Sequence, residues 1–281
     1  MQPLAPVSVV ELFPEEREGL LQLLAGLSDE QWRAPTACAG WSVKDVALHL
    51  LGVDVANLSR RRDGFHDPAF AAPDADLSQW VNLVAALNRW NEIWVQAARR
   101  ISPRLLCELL GFTGAALNEY FQELDLTALG GSVGWAGSDP APVWLDIARE
   151  YTERWMHQQH IRDAVGQPGL KERRLFAPVL ATFVYALPHT LRDVVAPPGT
   201  RVRLAITGEA GDEWLAVRLD DRWVLGQDRG TAADATVTFD QETAWRLFTR
   251  GLSKAEALQR SHLSGDLVIA EAVFDMVSII A

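Results

Sequence analysis

Glu153 and His157 stand four residues apart in the run Glu153-Arg154-Trp155-Met156-His157. On a helix that spacing stacks the two side chains on one face with their Cβ atoms about 5–6 Å apart, close enough to share a metal ion. A third candidate, His49, lies far upstream, where its neighbours one helical turn away are Asp45, Val46, Gly52 and Val53. That side of a helix is mostly small or apolar, so the imidazole turns inward. If the two helices packed side by side, the three groups would supply two imidazoles and one carboxylate, a ligand set that suits a catalytic zinc with one position left open. Helical bundles build metal centres in this way, from ligands projecting inward on facing helices. Each part also has a plainer reading: His49 as a core histidine with one hydrogen-bond partner, and Glu153 with His157 as a weak surface ion pair. Spacing along the chain does not itself join the two helices. His160, three residues beyond His157, could share a metal with it. Because it lies beside Gln159, Arg162 and Asp163 on a more polar arc, it ranks behind, as a neighbour whose hydrogen bond orients a ligand.

No other chemistry is comparably placed. There is no Gly-x-Ser-x-Gly elbow, no dinucleotide glycine fingerprint and no cysteine beside a histidine in a nucleophile pattern. Cys38 and Cys107 are too few and too distant for a disulfide framework or a thiolate metal knuckle, and read as two reduced small hydrophobes. His66, His189 and His262 are isolated and read as structural or surface residues. Of the eleven tryptophans, Trp80, Trp90 and Trp94 recur at helical spacing and read as core, given the large area an indole buries.

The elements that must position these groups follow from the wider pattern. The chain has 281 residues, 48% of them hydrophobic, and a net charge of −11 from 26 Lys and Arg against 37 Asp and Glu. Such a chain fills two ordinary domains. With an acidic balance and no basic stripe, nucleic acid is a poor partner. No segment reaches the about 18–20 apolar residues that span a bilayer, and Met1-Gln2-Pro3-Leu4 has no leader character, so a cytoplasmic protein without membrane partners is expected. Nothing in the sequence sets the oligomeric state.

Apolar residues recur at three- and four-residue spacing over the first two thirds, giving expected helices near 7–27, 42–62, 77–100, 103–123 and 142–166. Ser42 is a suitable N-cap, Pro142 fits a first turn, and Gly166 with Pro168 is a stop signal. The glycine-rich stretch Gly130–Pro140 reads as a flexible connector or site lid, because it lacks the lysine of a phosphate loop. After Ala196-Pro197-Pro198-Gly199 the pattern changes. Arg201–Ile206, Glu213–Leu219, Arg222–Leu225 and Ala235–Phe239 read as strands, and Gln241–Arg250, Lys254–His262 and Leu267–Ile280 as helices.

Two segments carry a resemblance. Ala39-Gly40-Trp41-Ser42-Val43-Lys44-Asp45-Val46-Ala47-Leu48-His49-Leu50 and Tyr151-Thr152-Glu153-Arg154-Trp155-Met156-His157-Gln158-Gln159-His160-Ile161-Arg162-Asp163-Ala164-Val165-Gly166 resemble the mycothiol-dependent maleylpyruvate isomerase family, whose first domain is a DinB-like four-helix metalloenzyme fold. Ala233-Asp234-Ala235-Thr236-Val237-Thr238 and Leu263-Ser264-Gly265-Asp266 are similar to that family's sterol-carrier-like second domain. The resemblance implies an α+β protein of two domains. Residues 1–166 would be a DinB-like up-down four-helix bundle with extra helices, 167–199 a bridging helical segment, and 200–281 a sterol-carrier-like domain with a small antiparallel sheet packed with helices.

It also implies a divalent metal, most often zinc with nickel as an alternative, on His49, Glu153 and His157, with His160 beside them. A low-molecular-weight thiol such as mycothiol would occupy the open position and lose its proton to become the nucleophile. Its target would be the electrophilic carbon of a small carboxylate such as maleylpyruvate, for isomerisation or thiol transfer. Arginine suits carboxylates through bidentate contact, and Arg203, Arg218 and Arg222 are the candidates. Two other readings stay open: a metal-dependent hydrolase of a thiol conjugate, and a non-catalytic protein that binds a small apolar ligand.

Overall fold

Apolar periodicity at three and four residues becomes helix throughout the first two thirds of the chain in the computed structural model, which describes residues 2–67, 76, 80–228 and 230–279. The described chain divides into two compact units. A helical unit comprises Val9–Asp125 and Glu150–Leu170, and a mixed unit comprises Met1–Ser8, Leu126–Arg149 and Lys171–Ala281.

The helical unit holds α1 (Phe13–Ala25), α2 (Asp29–Trp32), α3 (Val43–Ala56), α4 (Trp80–Ala98), α5 (Pro103–Glu123) and, from Glu150 on, α6 (Val143–Val165). Local chemistry sets several of the boundaries. Ser42 caps α3 in a reciprocal box, its hydroxyl accepting from the Asp45 backbone N–H and the Asp45 carboxylate accepting from the Ser42 N–H; such a cap contributes about 1 kcal/mol. Ser102 caps α5 with Pro103 in its first turn. The first expected helix begins instead as a 3-10 turn, Val10–Leu12. The second ends its α geometry at Ala56 and widens into a π turn over Asn57–Arg62. The start expected for α4 at 77, and the side chain of Trp80, fall outside the described residues.

α1 and α3 both pack on α5. Leu20 and Leu24 of α1, Val46 and Leu50 of α3, Leu106 and Leu110 of α5 and Ile161 of α6 meet in one apolar cluster with almost no solvent exposure. Trp94 closes its edge, half-buried as is Trp90, with its indole N–H donating to the Leu48 carbonyl at 2.7 Å. A Cβ on Gly52 would lie 2.6 Å from that indole, so α3 gives up a side chain there to let the ring approach.

Inside this apolar frame lies a buried ionic network. The Asp54 carboxylate of α3, with no solvent exposure, accepts from Arg17 of α1 at 2.8 and 3.1 Å, from Arg154 of α6 at 3.0 Å and from the Thr113 hydroxyl of α5 at 2.7 Å. Arg154 also donates to Glu150 at 2.8 Å, and that carboxylate accepts from Asn57 at 3.0 Å. Burial works against the charge on Asp54, yet the two guanidiniums and their hydrogen bonds hold its pKa below the usual range.

In the mixed unit β1 (Gln2–Pro3), β4 (Arg201–Thr207), β5 (Glu213–Arg218), β6 (Trp223–Gln227), β7 (Ala235–Asp240) and β8 (His262–Gly265) form one sheet in the order β1-β6-β5-β4-β7-β8. The sheet expected to be antiparallel is mixed, because β4 and β7 pair in parallel. Alternation along β4 and β7 puts Val202, Leu204 and Ile206, and Ala235, Val237 and Phe239, on the buried side. Such alternation marks a face and carries no information on strand direction. β1 was too short to read and β8 stands where a helix end was expected. Helices α7 (Arg173–Val184), α8 (Leu187–Thr190), α9 (Gln241–Phe248), α10 (Lys254–Gln259) and α11 (Leu267–Ala272) complete the unit. The last expected helix therefore stops early, passing into a 3-10 turn over Val273–Asp275.

The glycine-rich stretch is not a free connector. Its ends pair as β2 (Leu129–Ser132) and β3 (Pro140–Pro142), and Val133 and Trp135 anchor the intervening turn by burial.

Replacing Asp54 with Ala removes the ion-pair partner of the buried Arg17 and leaves the buried Arg154 with Glu150 alone. The expected result is a loss of about 3–5 kcal/mol in unfolding free energy, read from the urea transition at pH 7. A loss no larger than that of an exposed pair, below about 1 kcal/mol, would show that the network does not fix the bundle.

Candidate metal centre

His49 projects from α3 and Glu153 and His157 from α6, and the fold brings all three together. One carboxylate oxygen, Oε1 of Glu153, lies 3.2 Å from Nε2 of His49 and 3.2 Å from Nε2 of His157. The two imidazoles meet edge to face, with ring centroids 4.6 Å apart. Both histidines are buried and Glu153 is half-buried. Donors held at about 2.0–2.1 Å on one tetrahedral zinc stand about 3.3 Å from each other; the two distances to Glu153 match that value, and the three donor atoms all lie within 4.8 Å of one another, as a shared small divalent cation requires. The Trp41 ring packs 5.1 Å from the His49 ring, and its indole N–H is tied to Glu92 at 2.9 Å.

The same carboxylate makes the two histidines unequal. Burial, helped by the charge of His157, pushes the His49 imidazolium down in spite of Glu153, so this ring is neutral and ready to ligate. For His157 burial acts in the same sense, but the Glu153 carboxylate and then the Cys38 sulfur override it and raise the pKa to about 10. Burial would raise the Glu153 pKa; the charge of His157 and hydrogen bonds from both histidines hold it well below the usual carboxylate range.

Cys38, expected to be an inert small hydrophobe, is beside this centre. Its Sγ lies 3.2 Å from Nδ1 of His160 and 3.8 Å from Nδ1 of His157. Burial disfavours the thiolate, but hydrogen bonds and charge from His157 and then His160 outweigh it and bring the thiol down to about 6. His160 thus faces the cysteine, rather than the Glu153 carboxylate. The position of Cys38 is made by a turn: its N–H donates to the Thr36 hydroxyl at 3.2 Å, its carbonyl accepts from the Trp41 N–H at 3.0 Å, and Gly40 takes a φ of 79°. The signal in the sequence is the placement of Cys38 four residues before the Ser42 cap of the His49 helix, which folds the loop back over its first turns. Cys107, on α5, matches its expected role, and burial pushes its thiol up.

The three candidate arginines lie in the mixed unit and differ in occupation. Arg203 is committed to Glu213 at 2.7 Å and to the Asp228 and Thr231 carbonyls. Arg222 is exposed beside Asp221, 3.7 Å away. Arg218 has Nε and Nη1 shielded from solvent without a hydrogen-bond partner among the described residues. His66 and His262 are exposed and His189 half-buried, in line with a structural or surface role.

Residues 13–162 match the family model described as the mycothiol maleylpyruvate isomerase N-terminal domain. Two crystal structures are similar over 89% of this chain and 93% of their own, each with a TM-score of 0.52. They are of the mycothiol-dependent maleylpyruvate isomerase, at 14% sequence identity, and of a point mutant of it, at 12%. At that identity the likeness is one of fold. No curated protein matches the sequence. Among the described residues, no helix is long and apolar enough to cross a membrane.

With His157 holding its proton up to about pH 10, a cation taken by Nε2 must displace that proton. Affinity for zinc is therefore expected to rise by about tenfold per pH unit between about pH 7 and 9, as metal and proton compete for one lone pair. Chelator competition at several pH values checks this, and a flat profile over that window would remove His157 from the ligand set.

Proposed function

The chain belongs to the mycothiol maleylpyruvate isomerase N-terminal domain family, and on that premise we propose that it is a metal-dependent enzyme that uses a low-molecular-weight thiol to isomerise a small, electrophilic, carboxylate-bearing substrate such as maleylpyruvate. The observation that carries this reading is the convergence of His49 Nε2 and His157 Nε2 on one oxygen of Glu153, each at 3.2 Å. Three protein donors leave a position for a guest, the arrangement of catalytic rather than structural zinc. Zinc is the first choice for the ion and nickel the second. When bound, such a cation lowers the proton affinity of a thiol beside it, so that the thiolate is the stable form near neutral pH.

The side chains of this protein divide the remaining work. Glu153 stays ionised and offsets the charge of a cation in a partly dry setting. His49 offers a lone pair without first losing a proton. His157 gives up its Nε2 proton and keeps Nδ1–H directed at the Cys38 sulfur, which fixes the tilt of the ring; ligating imidazoles commonly need such a second partner. The Trp41 ring, tied to Glu92, keeps water from one face of His49.

A dicarboxylate-like substrate also needs a cationic donor. Arginine suits that role through bidentate contact.

Elemental analysis of protein purified without added metal tests the centre. Near one equivalent of zinc or nickel is expected in the wild type, with loss in His49→Ala and in His157→Ala while the fold is kept. A wild type that takes up no metal when zinc is offered would overturn the reading.

A further inference from the structure

His157 has two ring nitrogens, and the fold gives each its own set of donors. Nε2 faces Glu153 and, across it, His49. Nδ1, on the opposite side of the ring, faces Cys38, whose Sγ is 3.8 Å away and 3.2 Å from Nδ1 of His160. The Cys38 sulfur and one nitrogen from each of these two histidines all lie within 4.8 Å of one another. A thiolate and an imidazole on one tetrahedral ion, with bonds of about 2.3 and 2.05 Å, are about 3.6 Å apart. The two sulfur–nitrogen distances bracket that value.

The geometry is built. His157 and His160 share one face of α6 by their i,i+3 spacing. The cysteine is held by a turn whose hydrogen bonds run through Thr36 and Trp41. We propose that Cys38, His157 through Nδ1 and His160 through Nδ1 form a second cation site, distinct from the His49–Glu153–His157 set and selective for a thiophilic ion such as Cd²⁺ or Cu⁺. Sulfur is the reason for the selectivity, since a soft thiolate favours these ions over the harder cations that carboxylates prefer. On binding, the Nδ1 proton of His157 and any proton on the Cys38 sulfur go to solvent and the two imidazoles donate lone pairs, with no change of oxidation state.

The two sites compete. A neutral imidazole has one lone pair and one N–H. An ion on Nδ1 leaves the proton on Nε2, where His157 can donate to Glu153 but no longer ligate beside it. A soft cation would therefore silence the first set by taking away its shared histidine. That consequence rests on the function proposed above; the sulfur site itself does not.

Cadmium tests the site because its thiolate bond absorbs in the ultraviolet, whereas its bonds to carboxylate and imidazole do not. Titrating the full-length, metal-free wild type with Cd²⁺ is expected to produce this charge-transfer band, saturating at one equivalent. The band should persist in Glu153→Gln and in Cys107→Ser, disappear in Cys38→Ser, and need at least about tenfold more Cd²⁺ in His160→Gln, consistent with loss of one of three ligands. Circular dichroism confirms that each variant is folded. Absence of the band in the wild type, its persistence in Cys38→Ser, or its loss in Glu153→Gln would overturn the proposal. Zinc uptake by Cys38→Ser, measured in parallel, reports on the first set alone, so that failure of one site is distinguishable from failure of the other.

Discussion

A carboxylate sealed from water must find its counter-charges within the protein, and Asp54 takes them from two different helices. Arg17 reaches it from α1 and Arg154 from α6, while Thr113 of α5 completes its shell. A buried ion tolerates little displacement of its partners, because their attraction and hydrogen bonds must offset the desolvation cost of both. Asp54 lies five residues beyond His49, and Arg154 directly follows Glu153. Locking the first pair thus fixes α3 against α6 in rotation and translation where the second pair must meet. The apolar cluster supplies the driving force for collapse, but side chains such as Leu20 and Leu110 would accept small slips that the ionic network does not.

The centre that results is asymmetric by construction. A single Glu153 oxygen serves both imidazoles, yet one is held neutral and the other cationic. The Glu153 charge does most to keep the proton on His157, the Cys38 sulfur adds to it, and the resulting positive charge together with burial keeps the proton off His49. Glu153 is therefore both a donor for a cation and the group that sets the proton state of its neighbour.

Much of this was legible in the chain. The i,i+4 pair Glu153 and His157, the inward face bearing His49 and the Ser42 cap are local facts, and helices preserve local facts. α5 spans Pro103–Glu123, where its apolar spacing places a helix, with Ser102 as its cap. What spacing could not do was join α3 to α6, because that contact depends on Asp54 and Arg154, a hundred residues apart. Cys38 escaped for a related reason. Its direction is set by a turn that Thr36, Gly40 and Trp41 make together, and a cysteine outside a repeating pattern reads as one more small apolar residue. In the mixed unit, alternation gave β4 and β7 their faces but not their parallel pairing, and two strands of two and four residues were too short to stand out.

Gly52 and Trp94 carry a consequence for how such a chain can vary over evolutionary time. The indole occupies the volume that a side chain at 52 would need, and its N–H takes the place of water at the Leu48 carbonyl, one residue before His49. Neither position can therefore change alone without disturbing the helix that presents this histidine. A larger residue at 52 therefore calls for a smaller or displaced ring at 94.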